Sequence, residues 1–332
     1  MIASQIKATM QKLIISKIPL FIWGSPGIGK SSIVKQVADE EGLEFIDLRL
    51  TLMDPTDLKG IPFFDKDNNE AVWAKPNFLP KDPTSCGILF LDEINTAPPS
   101  VQASAYQLVL DRKVGDYELP DGWSIVAAGN NESDRGVIYR MPSPLANRFV
   151  HLDMEVSFKD WKSWAYQSGI SESIIAFLGY DGEKLFAFDP SLNEKSFPTP
   201  RSWEYVDRIL KSDLDEKYLY EAICGAVGRE SGVEFLSFKK VMDKLPNLDD
   251  IFKAKITKVG DDNQTLFALI SALVSNLKKD PDSKKIENTL NFSHSLSPEF
   301  AVLLIKDMQQ NGIPIETNPA WDKWVERFNF LL

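Results

Sequence analysis

Three groups of residues in this sequence have side chains whose type and spacing could do chemistry. The first is Gly24-Ser25-Pro26-Gly27-Ile28-Gly29-Lys30-Ser31-Ser32. It fits G-x-x-x-x-G-K-[ST], in which the glycines let successive backbone N–H groups curl around a triphosphate, Lys30 reaches its β and γ groups and Ser31 ligates Mg²⁺. The second is Asp92-Glu93, at the end of an apolar run over residues 86–91. Asp92 suits holding Mg²⁺ through coordinated water, and Glu93 suits orienting and deprotonating a water that attacks the γ-phosphate. The third is Asn130, at the end of the run 123–129. A neutral amide there could position the same water, although a terminal Asn is by itself more often a turn former. Two acids closing a strand are also commonly just solvated charge, so the second and third groups gain their weight from the loop upstream.

The elements that must position these groups can be read from the apolar pattern. Ile18 to Trp23 is short enough for a buried strand, and Ser31 to Ala38 reads as a helix whose N-terminus points at the anion. Residues 44–50 give a second strand and complete a βαβ unit, which implies a parallel sheet with right-handed crossovers. The runs ending at Asp92 and Asn130 are continuous enough to be strands buried on both faces, with their polar residues at the carboxyl ends where open α/β sheets place ligands. A fifth strand is expected near Val150, after a short helix carrying Asn147-Arg148-Phe149. Before it all, Ile2, Ile6, Met10, Leu13 and Ile14 recur at helical spacing. Two hairpins interrupt the order, one over about 61–75 around Asp65-Lys66-Asp67-Asn68-Asn69 and one over about 112–120 around Gly115-Asp116. Beyond Leu152 the pattern becomes helical, with helices expected over 172–178, 202–210, 216–227, 233–245, 262–277, 298–309 and 321–331, and Lys278 to Lys285 reads as a solvated linker. Trp161 and Trp164 share a helix face, as core residues do.

Composition sets limits. A chain of 332 residues suggests two or three domains, and 43% hydrophobic with 26% charged residues is ordinary for globular proteins. The net charge of −11 argues against a broad nucleic-acid surface but leaves a narrow basic pore open. Cys86 and Cys224 are too few for a disulfide framework or a zinc cluster and read as reduced core thiols of a cytoplasmic protein. No apolar run reaches the 18 residues of a membrane span, and residues 1–17 leave no room for a cleavable signal. His151 alternates with apolar neighbours and reads as a satisfied imidazole, not a ligand.

Taken together, Gly24 to Ser31, Asp92-Glu93, Asn130 and Asn147-Arg148-Phe149 stand where AAA+ ATPases have Walker A, Walker B, sensor 1 and the arginine finger. Phe197-Pro198-Thr199-Pro200-Arg201-Ser202-Trp203 resembles the start of a sensor 2 helix. The paired hairpins are similar to the helix-2 insert and pre-sensor 1 insert of the MoxR-like, dynein-related group, and Asp54-Pro55-Thr56-Asp57-Leu58-Lys59-Gly60 resembles that group's lead into the first insert. The resemblance covers roughly residues 1–230.

What the resemblance implies is an α/β P-loop core with a parallel five-stranded sheet and two inserted hairpins over 1–155, an all-α lid with sensor 2 over 156–245, and a helical C-terminal extension over 246–332. It implies ATP and Mg²⁺, bound by residues 24–32 with Ser31 and Asp92 on the metal. Catalysis would rest on Glu93, Asn130, Arg148 and Arg201. Arg148 would be the finger inserted into a neighbour's site, and Arg135 and Arg140 lack its Arg-Phe context. A finger acting in trans requires a ring, here a hexamer. The implied activity is that of a MoxR-like chaperone or metal-insertion ATPase, remodelling or maturing a client, one class of which carries a von Willebrand factor A domain. Two rivals stand beside it: a nucleic-acid motor or McrB-like GTPase subunit, and a scaffold that binds nucleotide only to assemble.

Overall fold

A computed structural model describes the chain except Asn68, residues 135–138, Arg140, Asn193 and residues 329–332, and without the side chain of Glu132. Arg135 and Arg140 therefore lie outside the described residues. The chain divides into two compact units, Met1–Ser157 and Phe158–Leu332.

In the first unit, α1 (Ala3–Ile15) is followed by β1 (Leu20–Trp23), α2 (Lys30–Glu40), β2 (Glu44–Arg49) and the short α3 (Pro55–Lys59). Next come β3 (Ile61–Asp65), β4 (Glu70–Ala74), β5 (Cys86–Asp92) and α4 (Pro99–Asp111). The unit ends with β6 (Lys113–Val114), β7 (Tyr117–Glu118), β8 (Gly122–Gly129), α5 (Ser143–Ala146) and β9 (Val150–Asp153).

Five strands form one parallel sheet in the order β2-β5-β8-β1-β9, as the βαβ pattern requires. β1 lies between β8 and β9, with Trp23 beside both Gly129 and Asp153. That register brings the carboxyl ends of β1 and β8 side by side. Helices α1 and α2 cover one face, where Ile6, Met10, Val34 and Val37 are fully buried. The other face carries a cluster that joins Phe21, Leu89, Leu91 and Ala127 to Val101, Ala105 and Leu108 of α4. Burial on both faces explains why the inner strands β1, β5 and β8 are near-continuous apolar runs, whereas the edge strands β2 and β9 carry polar residues and are largely exposed or half-buried.

The expected hairpins are β3–β4 and β6–β7, both antiparallel. They touch: the backbone N–H of Trp73 donates to an Asp116 carboxylate oxygen at 3.1 Å. Ile61, Phe63 and Phe64 remain exposed on the first hairpin.

The second unit is all helical: α6 (Phe158–Gln167), α7 (Glu172–Tyr180), α8 (Pro200–Leu210), α9 (Glu216–Val227) and α10 (Arg229–Met242), then α11 (Leu248–Phe252), α12 (Asn263–Lys279), α13 (Ser283–Ser293), α14 (Pro298–Gln310) and α15 (Trp321–Phe328). Two expectations are corrected here. The stretch from Lys278 to Lys285 is not a linker; it is the end of α12, a turn and the start of α13, with the Asp282 carboxylate accepting from the N–H groups of Lys284 and Lys285. Cys86 is exposed, not a core thiol, while Cys224 is buried. No helix among the described residues is long and apolar enough to cross a membrane.

Candidate active site

The loop after β1 is shaped by its glycines. Gly27 has φ of 80° and Gly29 φ of 100°, conformations that residues with a Cβ adopt only with strain. Gly29 is the N-cap of α2 and supplies no side-chain cap. The first-turn N–H groups of Lys30, Ser31 and Ser32 thus lack helical acceptors and face outward, the usual provision for an anion. Lys30 is the first residue of α2 and only 8% exposed. Its ammonium donates to the carbonyls of Gly24 (2.5 Å) and Ser25 (3.1 Å) and to Oδ1 of Asn130 (3.0 Å). Phosphate-loop lysine and the asparagine at the end of β8, separated by a hundred residues of chain, are in direct contact.

The acids come from two neighbouring strands. Asp92 ends β5 and pairs in register with Arg49 at the end of β2, and Asp47 lies two residues earlier on β2. Burial, with the negative charges of Asp47 and Glu93, holds the Asp92 carboxyl above its ordinary range, against the opposing pull of Lys30. Burial likewise raises Asp47, with Arg49 opposing and Glu93 adding. A carboxylate so crowded gains from a cation beside it. Glu93 has a φ of 57°. Its N–H donates to Oδ1 of Asp92 at 3.0 Å, and its Oε2 accepts from the Thr51 hydroxyl at 2.7 Å.

Three polar residues around this group carried no sequence motif. Thr51 holds the Glu93 carboxylate. Asp134 accepts from the Ser25 hydroxyl at 3.2 Å and from the N–H of Asn131 at 3.1 Å. Asn95, 1% exposed, bonds the backbone of Asn130 through both ends of its amide. The sequence signal was their position just beyond strand ends, β5 and β8 of which carry motif residues.

Among the described residues Arg148 makes no hydrogen bond or ion pair to this group, and Arg201 belongs to the other unit. Arg148 follows α5 on the first unit and is exposed, with no ion pair to a described residue. Arg201 lies in the first turn of α8 in the second unit, also exposed, behind a capping box in which Thr199 and Ser202 satisfy each other's backbone N–H groups. His151 is satisfied: the Trp23 indole N–H donates to Nδ1 at 2.9 Å, so Nε2 carries the proton and donates to the Ala146 carbonyl at 2.8 Å. A cavity of about 810 Å³ opens beside it, lined by Trp23, Asn95, Asn147 and Phe149 among others. Its lining includes none of Lys30, Asp92 and Glu93.

Residues 19–151 match the family described as ATPase family associated with various cellular activities (AAA). Among solved structures, NtrX from Brucella abortus in complex with ADP is 14% identical, with 93% of this chain covering 68% of that one at a TM-score of 0.41. NtrX in complex with ATP is 15% identical over 93% and 68%, with a TM-score of 0.40. A RuvB mutant from Thermotoga maritima is 14% identical over 99% and 88%, with a TM-score of 0.36. Likeness of that degree adds nothing to what the topology already shows. The five-stranded parallel sheet with a phosphate loop after β1 is the AAA+ P-loop fold, and over residues 19–151 the chain matches the AAA family, which supports ATPase activity in general.

Proposed function

We propose that this chain is a Mg²⁺-dependent ATPase that assembles into a ring, a hexamer, and spends hydrolysis on remodelling or maturing a partner protein in the MoxR-like manner. The observation that carries the ATPase reading is the contact of Lys30 with Asn130 at the same sheet end as Asp92 and Glu93. A lysine so placed serves a phosphate that lies between the loop and the two acid-bearing strand ends.

The residues fit both ligands. Uncapped N–H groups of α2 and the left-handed glycines suit a polyphosphate. Ser31 and Asp92 offer hard oxygen donors for Mg²⁺, and too few of them to bind it alone. An ion held there would complete its shell with phosphate and water. The bound ion would neutralise charge on the phosphates.

Glu93 accepts a proton from the attacking water as its oxygen bonds to the γ-phosphorus. The bond to the β–γ bridging oxygen breaks, leaving ADP and phosphate. Asn130 and Lys30 hold the γ-phosphate and water in line. Arg148, exposed and unpaired among the described residues, suits a finger offered to a neighbouring protomer, and Arg201 suits a report of the γ-phosphate to a lid of helices over 156–245, with 246–332 as an extension. The free thiols of Cys86 and Cys224 suit a cytoplasmic enzyme. A client with a von Willebrand factor A domain is the partner that the resemblance to the MoxR-like group implies.

Turnover and nucleotide binding of wild type, Glu93→Gln and Lys30→Ala test the reading. Loss of a general base lowers kcat by roughly 10²–10⁴, so Glu93→Gln should retain nucleotide yet hydrolyse it at least a hundredfold more slowly, and Lys30→Ala should bind none. Equal and negligible rates in wild type and Glu93→Gln would favour the assembly scaffold. DNA binding by the wild-type oligomer with a steep salt dependence would favour the motor.

A further inference from the structure

After β5 ends at Asp92, the chain turns away through Glu93, Ile94 and Asn95, but the hydrogen bonding to β8 goes on. The N–H of Ile94 donates to the Ala128 carbonyl at 3.2 Å. One step further along β8, the Asn95 side chain takes over: Nδ2 donates to the Asn130 carbonyl at 2.8 Å and Oδ1 accepts from the Asn130 N–H at 3.2 Å. A side-chain amide here stands in for a strand neighbour. Donor and acceptor at that separation on so short an arm are a property of Asn alone.

The surroundings are built around this pair. Asn95 is 1% exposed, so leaving one of its polar groups unpaired would cost stability. A Cβ on Gly129 would stand 2.5 Å from Asn95 Oδ1, so the glycine before Asn130 is what admits the amide. The carbonyl of Asn95 accepts from the Tyr139 N–H at 2.8 Å and fixes the turn from its far side. With its backbone gripped, Asn130 presents Oδ1 to Lys30 at 3.0 Å.

We propose that Asn95 is the positioning residue for Asn130: it fixes the Asn130 backbone so that the side-chain amide is aimed at Lys30 and at the γ-phosphate with its attacking water. Because Asn95 lies two residues beyond Glu93, the same clamp sets the base and the amide in one frame. This rests on the ATPase reading above for its catalytic sense, while the clamp itself is independent of it.

The test uses the full chain carrying Asn95→Ala, Asn130→Ala, or both, with steady-state ATP turnover, affinity for a fluorescent ATP analogue, and amide hydrogen exchange at position 130. Asn95→Ala should lower kcat at least tenfold with KM and nucleotide affinity within twofold of wild type. The double variant should be no slower than Asn130→Ala alone, and exchange at the Asn130 N–H should speed up tenfold or more. A kcat within twofold of wild type, losses that multiply in the double variant, or unchanged exchange would each overturn the proposal. Should Asn95→Ala not fold, Asn95→Asp replaces it: isosteric, it keeps the acceptor and loses the donor to the Asn130 carbonyl, and the same kinetic outcomes decide. If wild type hydrolyses nothing, the ATPase reading fails, and exchange alone decides whether Asn95 holds Asn130.

Discussion

Glu93 adopts a left-handed backbone conformation, φ 57°, that costs a residue with a Cβ roughly 1–2 kcal/mol. Strain of this sort persists where the surroundings fix it, and here Thr51 on the carboxylate and Asp92 on the N–H do so. A comparison of two variants that both lose the carboxylate isolates the strain. Glu93→Gly should be more stable than Glu93→Ala by about 1 kcal/mol, the reverse of the ordinary order of Gly and Ala. Urea unfolding of the two proteins measures this, and an alanine variant at least as stable as the glycine one would mean that position 93 is unstrained. At this scale the sequence was legible where spacing is local. Lys30, Ser31, Asp92 and Glu93 announce themselves because phosphate and metal chemistry fixes neighbours a few positions apart. Thr51, Asn95 and Asp134 do not, because each bonds a residue far away in sequence, Glu93, Asn130 and Ser25 respectively, and a single Thr, Asn or Asp beyond a strand end reads as a turn.

Strands and hairpins were legible for a related reason. Buried parallel strands such as β5 and β8 are near-continuous apolar runs, and the turn residues Asp-Lys-Asp-Asn-Asn and Gly-Asp mark the reversals of the two hairpins. Helix α13 was not, since Asn288, Thr289 and Ser293 interrupt its apolar face while being buried. Their bonds explain it: Asn288 Nδ2 donates to the Phe252 carbonyl at 2.6 Å, and Ser293 Oγ accepts from the Trp324 indole at 2.9 Å. Lys162 of α6 is a second case, a charge with the look of a solvated face that is 8% exposed. Its ammonium meets both carboxylate oxygens of Asp307 on α14 at 2.6 Å each. Burial holds the Asp307 carboxyl above its ordinary range, with Lys162 opposing. The pair ties helices separated by 145 residues, together with Lys278 of α12, which donates to the Tyr166 carbonyl at 2.6 Å. Breaking a buried pair leaves an unpaired charge, so Asp307→Ala should destabilise the second unit by about 3–5 kcal/mol. Replacing both partners, Lys162→Met with Asp307→Leu, should recover most of that loss. Thermal unfolding of the three proteins checks the order, and a double variant as unstable as the single one would show that the helices need the charges themselves.

For the whole molecule, the decisive question is whether one active site draws on two chains. Arg148 is exposed and unpaired among the described residues, whereas Lys30, Asn130 and Asp92 are engaged within their own unit. Were a head-to-tail interface repeated by rotation to close the proposed ring, each site would draw on a neighbour's Arg148. Arginine in that position is worth factors of about 10³–10⁵ in rate, so Arg148→Ala alone should fall close to the level of Glu93→Gln. Mixing the two dead proteins separates trans from cis. A site is whole when its owner carries Arg148→Ala, with Glu93 intact, and its neighbour carries Glu93→Gln, with Arg148 intact. In an equal random mixture of independent sites, about a quarter of head-to-tail interfaces meet that condition, so turnover should return to about that fraction of wild type. Differently tagged copies that co-purify confirm that mixed oligomers formed. Mixed rings without recovered turnover would assign Arg148 to its own chain, and a finger supplied by the neighbour would have to be sought elsewhere on the surface.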